Sequence, residues 1–272
     1  VATPIGNLGD ITIRALECLA GADLIACEDT RVTARLLSRY AIATPTLPYH
    51  DHNAAKMRPR LVERLQSGGR IALVSDAGTP LVSDPGFKLV QAAIAAGVTV
   101  SALPGPSSVL AALTVAGVPT DRFLFAGFLP PREAGRRSTL AELATVPASL
   151  VLFESGPRLA DALSDMAAVL GGGRQAALAR ELTKFYEEIR RGTLAELAAL
   201  LAAEPPPKGE LVVVIGPPLE AVAGEADIDA ALRTAMATMS VREAADMVAQ
   251  TTGARRRQVY ARALVLKGSG AV

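Results

Sequence analysis

Tryptophan is absent from this 272-residue chain, aromatic residues make up only 4%, and there are two cysteines and two histidines. Each shortage excludes something. Without Trp, a core must be aliphatic, and with half of the residues hydrophobic there is enough Ala, Leu and Val to build one. Cys18 and Cys27 have neither CxxC spacing nor further ligands beside them, so they read as small buried residues of a reduced, cytoplasmic protein. His50 and His52 form an H-x-H pair with no third His or Cys nearby, which argues against a metal site. No G-x-G-x-x-G and no Walker A pattern occurs, so dinucleotide and nucleoside-triphosphate readings lose their usual support. There is also no excess of charge. With 28 basic and 27 acidic residues the net charge is +1, which argues against indiscriminate coating of nucleic acid and leaves room for local basic patches. The chain opens at Val1 rather than Met, so native residues are expected before it, and the residues after it show no signal-peptide pattern.

What is present is alternation. Short apolar runs at residues 23–27 (DLIAC), 70–75 (RIALVS) and 98–102 (VTVSA) are each followed by a helical pattern, at 33–40, 87–96 and 107–116. Such alternation predicts βαβ units around a largely parallel sheet. Residues 89–120 carry no charge over a length that would span a bilayer, but Gly97 and Pro104-Gly105-Pro106 interrupt them. They read as helix, strand, turn and helix in a buried core, with no membrane partner. Past residue 122 the pattern has more strands per helix, at 149–154, 175–180, 185–190 and 211–215, with a helix over 158–170, so a mixed sheet is predicted. Residues 130–137 (PPREAGRR) read as an exposed basic loop. After Pro217-Pro218, residues 228–236, 241–250 and 255–266 have helical periodicity, with a capping box at Ser240 and Glu243 and a stop at Gly253. The boundaries expected are 1–117 for an N-terminal α/β domain, 118–218 for a second α/β domain, and 219–272 for a helical extension.

Four stretches carry chemistry. Residues 75–86 (SDAGTPLVSDPG) join a strand to a helix with twelve residues, against the usual two to six, and ligands in open α/β sheets sit at such strand ends. Residues 103–108 (LPGPSS) place Ser107 and Ser108 at a helix start, where hydroxyls cap the helix and also face a ligand. Residues 2–10 (ATPIGNLGD) read as a glycine-rich turn. Residues 27–31 (CEDTR) put Glu28, Asp29 and Arg31 at a strand end, suited to ligand contact or proton transfer, with Asp29 or Thr30 equally suited to cap the following helix. Asn53 is predicted to cap the helix after the histidines.

In this order, with FES, REL and KGE after them, the motifs resemble the ribosomal small subunit methyltransferase I family of the tetrapyrrole methylases, over the whole length from Val1 to residue 217 and again from 239 to 266. The resemblance implies a two-domain tetrapyrrole-methylase-like α/β fold with a small helix-turn-helix-like extension. It implies S-adenosyl-L-methionine as methyl donor, no metal, a cytoplasmic homodimer, and methylation of a cytidine 2′-oxygen in the decoding region of 16S rRNA within the small ribosomal subunit. By carry-over, Gly78, Thr79, Pro80, Val82, Ser107, Ser108, Phe153 and Glu154 hold the cofactor. Thr79 stands where the wider superfamily often carries Asp. A general base is expected among Glu28, Asp29, Glu154 and Glu181, with Arg31 and Lys184 orienting the substrate, and the histidines have suitable ordinary pKa values. Arg132, Arg136 and Arg137 in one loop, and Arg255, Arg256 and Arg257 on the last helix, are the basic elements expected to hold RNA; Tyr260 lies beside the second. Two other readings fit the fold: a methyltransferase of a porphyrin-like small molecule, and a catalytically inert ribosome-binding homologue.

Overall fold

A computed structural model of the chain describes residues 1–219 and 225–268. Helix α1 (Ile13–Gly21) starts at Thr12, whose hydroxyl accepts from the Ala15 amide. It leads into strand β1 (Leu24–Cys27), four consecutive buried residues. That pattern belongs to a central strand covered on both faces. Helix α2 (Thr30–Arg39), strand β2 (Thr46–Pro48), helix α3 (Ala54–Gln66) and strand β3 (Ile71–Val74) follow. The three strands form a parallel sheet in the order β2-β1-β3, with Cys27 opposite Val74 at the carboxyl end. Helix α4 (Phe87–Ala95) comes after the long loop, and helix α5 (Ser108–Ala116) runs from its Ser107 cap to Gly117 in the left-handed conformation.

The second sheet is mixed. Strand β4 (Phe123–Phe128), helix α6 (Glu133–Leu143), strand β5 (Ser149–Ser155), helix α7 (Gly156–Leu170), strands β6 (Gln175–Arg180) and β7 (Glu188–Thr193), helix α8 (Leu194–Ala202) and strand β8 (Glu210–Ile215) give the order β4-β5-β8-β6-β7. Only β4 and β5 are parallel neighbours there. Strand periodicity sorts its side chains. Leu211, Val213 and Ile215 of β8 pack under α7 and α8 with Leu159, Leu163 and Leu197, whereas Val212 and Val214 face α5 through Val109, Ala112 and Leu113. Helix α5, from the first half of the sequence, thus covers the second sheet. Both faces of β8 are buried, which is why its sequence is a continuous apolar run.

The chain divides into two compact units, Val1–Pro218 and Leu219–Val272. In the second, helices α9 (Glu225–Met236), α10 (Val241–Thr252) and α11 (Arg256–Gly268) enclose Leu232, Ala244, Ala245, Val248, Val259, Ala263 and Leu266. Ser240 and Glu243 form the reciprocal capping box, and Gly253 closes α10 at φ 67°. Two parts of the expected extension, 220–224 and 269–272, lie outside the described residues.

The structure corrects several sequence expectations. Residues 98–102 form no strand: the Val98 amide donates back to the Ala93 carbonyl at the end of α4, and residues 1–3 meet the chain just past the stretch, where the Ala2 amide donates to the Leu103 carbonyl. The last antiparallel strand before α8 is displaced to Glu188–Thr193, because residues 181–187 make a turn containing two left-handed residues, Glu181 and Thr183. Residues 133–137 open helix α6 instead of forming a loop. Asn53 stands at the N-cap of α3 as expected, but its carboxamide makes no cap hydrogen bond and ties the preceding turn, accepting from the His50 amide at 3.0 Å and donating to the Pro48 carbonyl at 2.8 Å.

Candidate active site

Because β1 and β3 are parallel neighbours, the segments leaving their carboxyl ends emerge side by side. One supplies Glu28 and Asp29, the other Ser75 and Asp76. The Asp29 amide donates to Asp76 Oδ1 at 2.9 Å, which locks the two together. Around them lies a cavity of about 450 Å³ lined by Glu28, Asp29, Thr30, Arg31, Pro48, His50, His52 and Asp76. That volume suits a small ligand such as one nucleoside.

Its carboxylates differ sharply. Asp29 caps α2 by accepting from the Arg31 amide at 2.8 Å, and its side chain also takes both Nε and Nη2 of Arg31, at 3.0 and 2.6 Å. Those contacts hold its pKa down to about 2. Glu28 moves the opposite way. Burial pushes its pKa up, and the nearby Asp76, Asp84 and Asp51 add to the rise against an opposing effect of His50. Asp84 is raised as well, chiefly by burial. Nδ1 of His50 is buried without a hydrogen-bond partner.

The loop over residues 75–86 is held at its first half. Thr3 and Gly78 exchange backbone hydrogen bonds of 2.9 and 3.0 Å, Thr3 Oγ1 donates to the Ser75 carbonyl, and Thr79 Oγ1 donates to the Pro106 carbonyl at 3.1 Å. The second half is strained: Leu81 and Ser83 have φ of 73° and 63°. Side-chain-bearing residues enter that region at roughly 1–2 kcal/mol each, and such strain collects at ligand sites. Val82 packs against the buried cluster that contains Ile5, Val109 and Leu182. This brings the expected cofactor residues Gly78, Thr79, Pro80, Val82, Ser107 and Ser108 close to the second sheet. Below them, Ile5, Ser108, Ala179, Leu182, Glu210 and Val212 surround a gap of about 20 Å³.

The predicted catalytic residues fall into two groups. Glu28, Asp29 and Arg31 wall the large cavity. Glu181 and Lys184 lie at the end of β6, where Lys184 Nζ bridges Glu181 and Glu210 at 2.8 and 2.9 Å. Glu181 Oε1 also accepts from the Glu210 amide, and Lys184 first, then that amide, lower the Glu181 pKa. No hydrogen bond or ion pair among the described residues joins the two groups. Gly209, at φ 100°, is needed beside this cluster, since a Cβ there would collide with Glu181 Oε1.

Two of the expected contact residues are buried and paired. The Glu154 side chain is wholly enclosed, paired with Arg158 at 3.2 Å and accepting from the Ser155 amide. Phe153, on the opposite face of β5, is instead stacked edge-on against Phe125 and Phe128 at 4.9 and 5.4 Å. Arg136 is likewise buried, with Nε and Nη2 both 2.6 Å from Asp165. Arg137 shares Asp165 at 3.2 Å and is half-exposed, while Arg132 is exposed ahead of α6. In the second unit Arg255 and Arg257 are exposed, and Arg256 is paired with Asp246. Asp76 went unassigned at the sequence level although its signal was present: it lies just past the end of β3, as Glu28 follows β1. Among the described residues no group of three or more His, Cys, Asp or Glu is placed to hold a metal ion, and no helix is long and apolar enough to cross a membrane.

Known proteins match this chain over nearly its whole length. The profile of the tetrapyrrole (corrin/porphyrin) methylases matches residues 1–198, and that of the RsmI C-terminal HTH domain matches residues 222–267. Ribosomal RNA small subunit methyltransferase I of Mesorhizobium japonicum is 55% identical over 268 residues, covering 98% of this chain and 91% of the relative. The enzyme of the same name from Pseudomonas aeruginosa is 46% identical, over 98% and 96%. The chain belongs to the ribosomal RNA small subunit methyltransferase I family of tetrapyrrole methylases. Solved structures agree on the fold. Cobalt precorrin-4 methyltransferase superposes with a TM-score of 0.60 at 18% identity, covering 79% of this chain and 92% of that one. Diphthine synthase gives 0.61 at 17%, covering 79% and 88%. Uroporphyrin-III C-methyltransferase from Thermus thermophilus, complexed with S-adenyl homocysteine, gives 0.53 at 22%, covering 79% and 95%. The tetrapyrrole methylase architecture expected from the motifs is therefore the one observed, with the family's helical HTH region at its end.

Proposed function

We propose that this family member transfers a methyl group from S-adenosylmethionine to the 2′-oxygen of a cytidine in the decoding region of 16S rRNA. The observation that carries the reading is coverage. Relatives named for ribosomal RNA of the small subunit align with 98% of the chain, including the helical unit. The solved methyltransferases of precorrin and uroporphyrin reach 79%. A small-molecule enzyme has no use for an added unit whose last helix is basic.

The residues present suit the donor. Gly78 approaches so closely that a Cβ would meet Ile5 at 3.2 Å, leaving bare backbone at the loop, and Ser108 and Glu210 add a hydroxyl and a carboxylate among apolar walls. Gly78, Thr79, Val82, Ser108 and Leu182 would hold it, with entry requiring the walls of the narrow gap to part. When bound, it supplies an electrophilic methyl carbon on a cationic sulfur. The protein's part is to orient a ribose hydroxyl in line with that carbon at about 3–3.5 Å. A ribose is accessible in this way only where the nucleotide is splayed from its neighbours. The 450 Å³ cavity, beside Asp76 at the root of the loop, is the place for that nucleoside.

The test is methyl transfer from labelled S-adenosylmethionine to small ribosomal subunits lacking the modification, followed by nucleoside separation. Label is expected in 2′-O-methylcytidine. A protein whose melting temperature rises with the donor but which labels no RNA would have a small-molecule substrate, and one that fails to bind the donor at all would be an inert homologue. For RNA contact we expect the exposed Arg255 and Arg257 to act and Arg256, neutralised by Asp246, to contribute little. Converting Arg255 and Arg257 together to Ala should reduce the slope of log affinity against log salt by about 1 per arginine. Arg256→Ala should leave that slope nearly unchanged, and equal effects at all three positions would contradict the assignment.

A further inference from the structure

Three carboxylates wall the large cavity, and two are committed. Asp29 is held by Arg31 and by the α2 amide, and Asp76 accepts the Asp29 amide. Outside the cavity, Glu154 is buried against Arg158 and Glu181 is bound by Lys184. Glu28 accepts no hydrogen bond from any described side chain or amide, and faces the cavity from the strand end nearest the 75–86 loop.

We propose that the Glu28 carboxylate takes the proton from the attacking ribose hydroxyl. The inference rests on the reading of the chain as a ribose methyltransferase. The hydroxyl oxygen gains a bond to the methyl carbon as the carbon–sulfur bond breaks, and that electron pair stays on sulfur and cancels its charge. The hydroxyl proton passes to Glu28 Oε, leaving a neutral carboxylic acid that returns the proton to water through the cavity mouth. Charged and titratable groups surround Glu28 from three elements: Asp29 and Arg31 at the start of α2, His50, Asp51 and His52 after β2, and Asp76 and Asp84 after β3. Burial and the surrounding aspartates make its carboxylate more basic than an ordinary glutamate, which favours proton transfer near neutral pH. Asp29, with its pKa held near 2, is a far weaker acceptor.

Protonated Glu28 cannot accept, so turnover should fall on the acid side, with its midpoint above the ordinary glutamate range. In the full-length protein acting on small ribosomal subunits, Glu28→Gln should lower kcat by about 100-fold or more. It should leave binding of S-adenosylhomocysteine and RNA unchanged and abolish the acid limb. Glu28→Asp should restore part of the rate with a displaced limb. Independently of activity, a side-chain carbon NMR titration, with the Glu28 signal identified by its loss in Glu28→Gln, should show the raised pKa. Three results would overturn the proposal: a Glu28→Gln enzyme with wild-type kcat, a Glu28 that titrates in the ordinary range, or an acid limb retained in Glu28→Gln but lost in His50→Gln, which would move the role to the histidine. A wild-type protein that labels no RNA while Glu28 still titrates high would instead count against the ribose reading.

Discussion

Asp165→Ala is expected to destabilise the Val1–Pro218 unit by about 3–5 kcal/mol, the usual effect of breaking a buried ion pair from one side. Arg136 and Asp165 are each less than a tenth exposed at the side chain, and Arg137 leans on the same carboxylate. Removing Asp165 leaves the Arg136 charge enclosed, with the Pro131 carbonyl at 3.5 Å as its remaining partner. The attraction within the pair largely offsets the desolvation of its two charges, so the damage comes from the orphan and not from the lost contact. A double replacement, Arg136→Met with Asp165→Leu, should therefore recover much of the stability. Guanidinium unfolding of the single and double variants checks this. A single variant within about 1 kcal/mol of wild type would mean that water reaches Arg136, and that its side chain is free for RNA after all.

Gly78→Val should strongly weaken donor binding while leaving the protein folded. At φ 80° the position sits in the region that L side chains enter only with strain, and a Cβ would press on Ile5 at 3.2 Å and approach the Pro106 carbonyl at 3.7 Å. The strain alone is about 1–2 kcal/mol. A branched side chain adds bulk where Thr3, Gly78 and Thr79 tie the loop to residues 1–3 and to Pro106. Calorimetry with S-adenosylhomocysteine should show affinity reduced by about 100-fold or more, on the reasoning that each 1.4 kcal/mol is tenfold. Unchanged affinity would place the donor away from this loop.

Much was legible from short-range chemistry. The caps at Ser107 and Ser240, the stop at Gly253 and the long loop at 75–86 depend on residues within a few positions of each other, so local preference decides them. The alternation of strand and helix patterns, with the ordered motifs, was sufficient for the fold class and for the clustering of chemistry at strand ends. The strand over 98–102 was not decidable that way. Its apolar, β-branched residues suit a strand, but a strand also requires a partner along its length, and the backbone hydrogen bonds here lie at its margins, from Val98 to Ala93 and from Ala2 to Leu103.

The fate of each charge belonged to the folded chain. Arg136 and Arg137 are adjacent in a basic run that reads as solvent-facing, yet a helix starting at Glu133 turns Arg136 inward to an aspartate 29 residues away. Glu28 and Asp29 are neighbours with the same chemistry. One is neutralised by an arginine two residues on, and the other is left unbonded in an acidic cavity by a loop 47 residues downstream. Helix caps and strand patterns are settled by energies between residues close along the chain, and can be read from it. Which carboxylate is free to move a proton depends on burial and on distant partners, and those exist only once β1 and β3 lie side by side.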